Sequence, residues 1–230
     1  MKVVLFDIDG TLLWTNGAGR RAMERAFTAH IGTSGPPGHR YDGKTDRQIV
    51  REAMRLAGFA DAAVNALMDR VLASYLLELV TELERDDHGV ALLPGVPELL
   101  DALEARDDIV LGLLTGNLVE GAERKLRAAG IRFARFSVGA FGSDGEHRHD
   151  LPAIARDRAS AHIGRPLGGD ACVIIGDTPS DVACGRGIGA RAIAVATGHY
   201  DAAALTACAP HAVFQDLTDT AAIVRAIVDA

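Results

Sequence analysis

Cysteine is scarce in this chain, which carries only Cys172, Cys184 and Cys208. Three irregularly spaced thiols build no disulfide framework, and without a Cys-x-x-Cys pair they make no zinc site of that kind, so a reducing compartment is expected. Basic blocks are missing as well. A formal net charge of -7 and a pI near 5.6 argue against a general nucleic-acid surface. No apolar run approaches the roughly 18 residues of a membrane span. The first residues also lack the charged, apolar and small-residue succession of a secretory signal. These absences predict a cytoplasmic protein with no nucleic-acid or membrane partner. The histidines, His147, His149 and His199 among them, have no metal-ligand spacing and are expected at the surface.

What the chain has in quantity is material for a core. With 230 residues and 48% hydrophobic side chains, it suits one domain plus a sizeable insertion. Lys2-Val3-Val4-Leu5-Phe6 is a short apolar run that stops at Asp7-Ile8-Asp9-Gly10-Thr11, as a buried parallel strand ending in an acidic loop would. Strand side chains alternate, so Asp7 and Asp9 leave on the same side while Ile8 turns back into the core. Two ionised carboxylates about 4 Å apart repel by roughly 4 kcal/mol at an effective dielectric near 20. A shared proton, a basic side chain or a bound cation must compensate.

Helical patterns follow from Trp14 to about His30, from the capping box Thr45-Asp46-Arg47-Gln48 to about Ala57, and from Asp61 to about Arg85. Three helices run in succession with no strand between them. The next strand, Ile109 to Leu114, comes only after a helix from Val96 to Arg106. A parallel crossover needs little more than a dozen residues and this one takes about a hundred, so an inserted unit is expected. Beyond it the elements alternate. Helix Leu118 to Ala129, strand Phe136 to Ala140, helix Leu151 to Ile163 and strand Cys172 to Ile175 come first. A helix from Pro179, strand Ala192 to Val195, short helix Asp201 to Cys208, weak strand Ala212 to Phe214 and helix Leu217 to Val228 complete the chain. The alternation predicts an α/β fold, an open parallel Rossmann-like sheet with helices on both faces. Residues 1–14 and 91–230 are expected to form that core, and residues 15–90 a helical cap.

Open parallel sheets bind ligands at the carboxyl ends of their strands. The strand at 109–114 ends in Thr115-Gly116-Asn117, and that at 172–175 in Gly176-Asp177-Thr178-Pro179-Ser180-Asp181. Asp7, Asp9, Asp177 and Asp181 would then converge, which is prohibitive without a cation. Hard carboxylate oxygens with open water positions suit Mg2+. Asn117 also suits the cap of the following helix.

These three strings, in this order after apolar strands, resemble the first, second and fourth motifs of the haloacid dehalogenase superfamily in its phosphatase form, over Lys2 to about Val195. The helical insertion is similar to the caps of its phosphoglycolate phosphatase-like and β-phosphoglucomutase-like group. The resemblance implies that Asp7 is the nucleophile and Asp9 the general acid/base. It implies that Thr115 and the Gly116 N–H receive the phosphoryl group, with Gly10, Thr11 and Asn117 beside the substrate. It also implies Mg2+ on Asp7, Asp177 and the Asp9 main-chain carbonyl, with Asp181 ligating through water or orienting the others. The family's phosphate clamp is a Lys, sometimes an Arg, upstream of the Gly-Asp motif. No Lys follows Lys125. Arg148, after a strand and before a helix, takes the expected position, with Arg156 and Arg158 as fallbacks inside that helix. Glycine-flanked Lys44 is expected to contact substrate from the cap, and Trp14, Thr15 and Asn16 to form a hinge or pocket wall.

The function expected is a Mg2+-dependent phosphomonoester hydrolase of a small phosphorylated metabolite, acting through an aspartyl-phosphate. A sugar phosphomutase keeps the same residues and is the alternative, and a catalytically idle binding protein on this scaffold is a third reading. The sequence leaves open the substrate and whether the chain is a monomer or a homodimer.

Overall fold

The apolar run at the start of the chain becomes a central strand. In the computed structural model, which describes residues 1–85, 87 and 89–230, β1 (Lys2–Phe6) is fully buried from Val3 to Phe6. A two-residue ribbon follows, β2 (Leu13–Trp14) pairing antiparallel with β3 (Ala91–Leu92). Between those strands lie α1 (Ala18–Ile31), α2 (Asp46–Leu56) and α3 (Asp61–Leu83). The first helix starts later than its periodicity suggests, because Leu13 and Trp14 are spent pairing the outgoing chain with the returning one. Met23, Phe27, Val50, Met54, Val71, Tyr75 and Leu79 give the three helices an apolar cluster of their own.

The chain continues with α4 (Val96–Glu104), β4 (Ile109–Leu114), α5 (Val119–Ala128), β5 (Val138–Ala140) and α6 (Leu151–Ile163). Then come β6 (Cys172–Gly176), α7 (Pro179–Cys184), β7 (Arg191–Val195), α8 (Ala202–Thr206), β8 (Ala212–Phe214) and α9 (Thr220–Asp229). The expected strand at 136–140 is shorter, since Phe133–Arg135 winds into a 3-10 turn just before it.

Six strands form one parallel sheet in the order β5-β4-β1-β6-β7-β8. Alternation divides β1 between two cores. Val4 and Phe6 pack with Leu99, Leu103, Leu126 and Ile227 on one face. Val3 and Leu5 pack with Leu151, Ala155 and Ala159 on the other. With β1 flanked by β4 and β6, the connections run outward in opposite directions on its two sides. Loops leaving the strand ends therefore part there, opening the crevice where doubly wound sheets take ligands. The loops after β1, β4 and β6 all border it. Among the described residues no helix is long and apolar enough to cross a membrane.

Candidate active site

The crevice holds the acids. Asp7 follows β1 directly, its N–H donating to Ile175 on β6 at 2.9 Å. Asp7, Asp177 and Asp181 are buried, and one carboxylate oxygen of each lies within 4.8 Å of the others. Thr11 Oγ1 donates to Asp177 Oδ1 at 3.0 Å. Asp181 closes a capping box, accepting from the Thr178 N–H at 2.9 Å while its own N–H donates to Thr178 Oγ1 at 3.2 Å. Thr178 is thus the cap of α7, which leaves Asp177 free to face the crevice.

Arg148 is the cation in this group. It lies in a 3-10 turn just before α6, and its side chain is only 6% exposed. Nη2 donates to Asp7 Oδ1 and to the Leu114 carbonyl, both at 3.0 Å, and pairs with Asp181 Oδ1. Arg156 and Arg158 are engaged elsewhere, with Asp157 and Asp144.

One guanidinium does not neutralise three carboxylates. Burial pushes the Asp7 carboxyl up to about 6; Arg148 opposes the rise, while Asp181 and Asp9 add to it. Burial, with Asp181 and Asp7 alongside, also raises Asp177 well above the carboxylate range. Arg148 Nε is buried without a hydrogen bond, and the buried Asp181 Oδ1 has only its ion pair with Arg148. Glycines leave the Asp177 carboxylate room: a Cβ at Gly10 (φ +85°) would stand 2.5 Å from its Oδ2, and one at Gly198 only 1.7 Å. Clustered hard oxygens, excess negative charge and a kept clearance fit a small divalent cation.

Asp9 departs from the expected convergence of four acids. Its side chain is 32% exposed and turns to Lys125, whose ammonium donates to Asp9 Oδ1 at 2.9 Å and Oδ2 at 2.7 Å. Asn117 Nδ2 donates to the same Oδ2 at 2.8 Å and to Thr115 Oγ1 at 2.8 Å. Asn117 is therefore not the cap of α5. That role passes to others, with Ser143 Oγ accepting from the Val119 N–H at 3.0 Å and Asp46 Oδ2 from the Leu118 N–H at 2.8 Å. The sequence reading gave Lys125 no role. It sits among Arg and Glu in an ordinary amphipathic helix, and only its four-residue step from Gly121, on the helix face that is buried, hints at it.

The inserted helices α1, α2 and α3 lie over the crevice. The Asp46 N–H donates to the Gly116 carbonyl at 2.8 Å, Thr45 Oγ1 donates to the Glu146 carbonyl, and Arg51 pairs with Glu146. A Cβ on Gly116 would meet the Lys44 carbonyl at 2.0 Å, so only glycine admits so close a crossing. Asp42 reaches His199 of the core at 3.0 Å. Between the layers remains a cavity of about 550 Å³, with Asp7, Asp9, Thr115 and Arg148 on its floor and Arg20, Tyr41 and Lys44 on the cap side. Trp14 and Thr15 line it too, and the Trp14 indole donates to the Thr197 carbonyl at 3.2 Å.

Lys44 borders this cavity with its charge already committed. Glu52 holds its ammonium at 2.5 Å. His39 and Gln48 also bond Glu52, and against a burial effect that raises it these contacts bring its carboxyl down to about 2. Gln48 completes only half of the expected capping box, because its side chain goes to Glu52 instead of back to Thr45. Burial pushes the thiols of Cys172 and Cys184 up to about 11 and 12, so neither is a nucleophile at neutral pH.

A doubly wound α/β domain carries buried carboxylates and a guanidinium at its strand ends, beneath a helical cover. The chain belongs to the haloacid dehalogenase-like hydrolases, whose family model matches residues 4–186. Among solved structures it is similar to a hydrolase from Pseudomonas syringae, at 21% identity and a TM-score of 0.73, with 98% of each chain covered. A "predicted phosphoglycolate phosphatase" from Haemophilus somnus matches at 20% identity and 0.71, covering 97% of this chain and 98% of that one. CbbY from Rhodobacter sphaeroides, solved in complex with phosphate, matches at 21% and 0.66, covering 95% and 96%. At such identities the likeness speaks for the fold. No curated protein matches the sequence significantly.

Proposed function

We propose that this hydrolase is a Mg2+-dependent phosphomonoesterase of a small phosphorylated metabolite, with a core of residues 1–14 and 91–230 and a cap of residues 15–90. The observation that carries the reading is the meeting of Asp7 with Asp177, Asp181 and Arg148, where Asp7, Asp177 and Arg148 border a cavity that Asp9 also lines. Asp7, Asp177 and the Asp9 main-chain carbonyl would hold Mg2+, with Asp181 orienting them. The ion supplies charge compensation between a phosphate dianion and the carboxylates.

The chain's own residues do the rest. An oxygen of Asp7 attacks phosphorus, the bond to the leaving oxygen breaks, and Asp9 gives that oxygen a proton. Water then attacks the aspartyl-phosphate, Asp9 takes its proton, and phosphate departs with Asp7 restored. Thr115 Oγ1, fully buried, and the Gly116 main chain border the phosphoryl position, with Gly10 and Thr11 shaping the loop that carries Asp9. Arg148 is the phosphate clamp: its guanidinium already neutralises Asp7 and offers a further donor in Nε.

The test is phosphate release from p-nitrophenyl phosphate and from a metabolite panel, with and without Mg2+ and in Asp7→Asn. Turnover that requires both the metal and Asp7 is expected. Absence of such turnover would leave a binding protein, and formation of glucose 6-phosphate from β-glucose 1-phosphate without free phosphate would reassign the site to a mutase.

A further inference from the structure

A second ion cluster lies at the seam between cap and sheet. Lys125 projects from α5 with its side chain 5% exposed. Its ammonium has three protons to donate, and three acceptors stand around it: both oxygens of Asp9, and Asn117 Oδ1 at 2.6 Å. Burying an ammonium costs several kcal/mol unless its partners are well placed, whereas a Leu or Met would fill the same helix position without that cost. The cap makes way for it. Gly19 on α1 lies over the ammonium, where a Cβ would stand 3.3 Å from Nζ, and burial raises the Asp46 carboxyl while Lys125 is close enough to oppose that rise.

We propose that Lys125 is the positioning residue for Asp9. With the Asn117 amide it fixes both carboxyl oxygens at the cavity wall, where the leaving oxygen must find its proton. Proton transfer needs the carboxyl within hydrogen-bond reach of that oxygen. A one-third exposed side chain on a loop would otherwise rotate away. As the phosphorus–oxygen bond breaks, the proton passes from Asp9 to the leaving group, and Lys125 faces the carboxylate so formed. Lys125 itself neither gains nor loses a proton. The inference rests on the phosphomonoesterase reading, and it also makes α5 and α1 parts of one device, since Gly19 supplies the clearance that Lys125 occupies.

The experiment compares two aryl phosphates of similar shape. Phenyl phosphate releases phenol, whose pKa of about 10 makes protonation matter; p-nitrophenyl phosphate releases a stable anion. In Lys125→Met, kcat on phenyl phosphate is expected to fall by about 100-fold, the scale of a general-acid contribution, and kcat on p-nitrophenyl phosphate by less than about 5-fold, with KM little changed for both. Lys125→Arg should restore part of the loss. Gly19→Ala, which displaces the ammonium without removing it, should show the same dependence on leaving group more weakly, and it carries the test if Lys125→Met does not fold. Equal losses on the two substrates would reduce Lys125 to a structural residue and overturn the proposal, as would no loss at all. If the wild-type protein releases phosphate from neither ester, the phosphomonoesterase reading itself falls.

Discussion

Arg148 Nη2 lies 3.0 Å from Asp7 Oδ1, joining the turn before α6 to the end of β1 across 141 positions of sequence. Both side chains are buried, and the same guanidinium pairs with Asp181. Removing one partner of a buried ion pair costs about 3–5 kcal/mol, because the other charge is left without compensation. Arg148→Ala should therefore lose about 3 kcal/mol in urea unfolding without metal, and its kcat should fall by at least about 100-fold. Arg148→Lys should keep much of the stability. Turnover undiminished in Arg148→Ala would remove the residue from phosphate binding.

On the proposed reading, protons and Mg2+ compete for the acidic cluster. Burial raises Asp7 to about 6 and Asp177 further, so in the metal-free protein the folded state holds protons that the unfolded chain releases. Metal must displace them. A ligand that binds only the folded state at 100 times its Kd adds about 2.7 kcal/mol. Saturating Mg2+ should thus raise the melting temperature at pH 7.5, with the shift fading as pH falls through 6. Asp177→Asn should abolish the shift, and a shift equal at pH 5 and 7.5 would contradict this account.

Asp46 is the cap's buried acid, raised to about 6 by burial, with Lys125 and the Leu118 N–H opposing the rise and Asp9 adding to it. A carboxyl whose folded pKa exceeds its unfolded value binds more protons when folded, so its contribution to stability is lost as pH rises from about 4 to 6. Asp46→Asn keeps an acceptor for the Leu118 N–H and removes that penalty. It should melt higher than wild type at pH 8, by on the order of 2 kcal/mol, and lose the advantage at pH 4. A constant difference across this range would show that the charge is not the cause.

Cap closure can be probed at Gly116. An added methyl group would meet the Lys44 carbonyl at 2.0 Å and push apart the segments joined by the bond from Asp46 N–H to the Gly116 carbonyl. Gly116→Ala should raise KM by about tenfold or more, in line with the 1–3 kcal/mol of overpacking, and should speed proteolysis of the loop at 32–45. Unchanged KM and unchanged digestion would mean the cap does not need this crossing.

The architecture was legible because parallel strands are simple text: apolar runs that end abruptly in polar clusters. The same rule pointed at Asp7, Asp177 and Asp181 as neighbours, since each stands at or just beyond a strand end, while Arg148 came from the family resemblance. Lys125 was barely legible, because within α5 only its place on the same face as Gly121, Ala122 and Leu126 sets it apart from Arg124 and Arg127. Its burial comes from α1 lying over it, a long-range relation. Lys44 carried a local signal, a cation between Gly43 and Thr45, and its ammonium was claimed by Glu52, 8 positions on along α2. The orientation of Asp9 was hidden for the reason that hid Lys125: the partner that turns it lies 116 positions on.

The hydrogen-bonding of β1 bears on how the chain comes to be made. Val3 pairs with Val110 on one side and with Cys172 on the other. β1 must therefore wait for β4 to close one edge and, later still, for β6 to close the other, and pairings so distant in sequence are slow to form. An apolar pentapeptide with open edges is in that interval a target for chaperones and for mispairing with other nascent strands. Translation speed and chaperone supply should then govern the yield of this protein more than its final stability does.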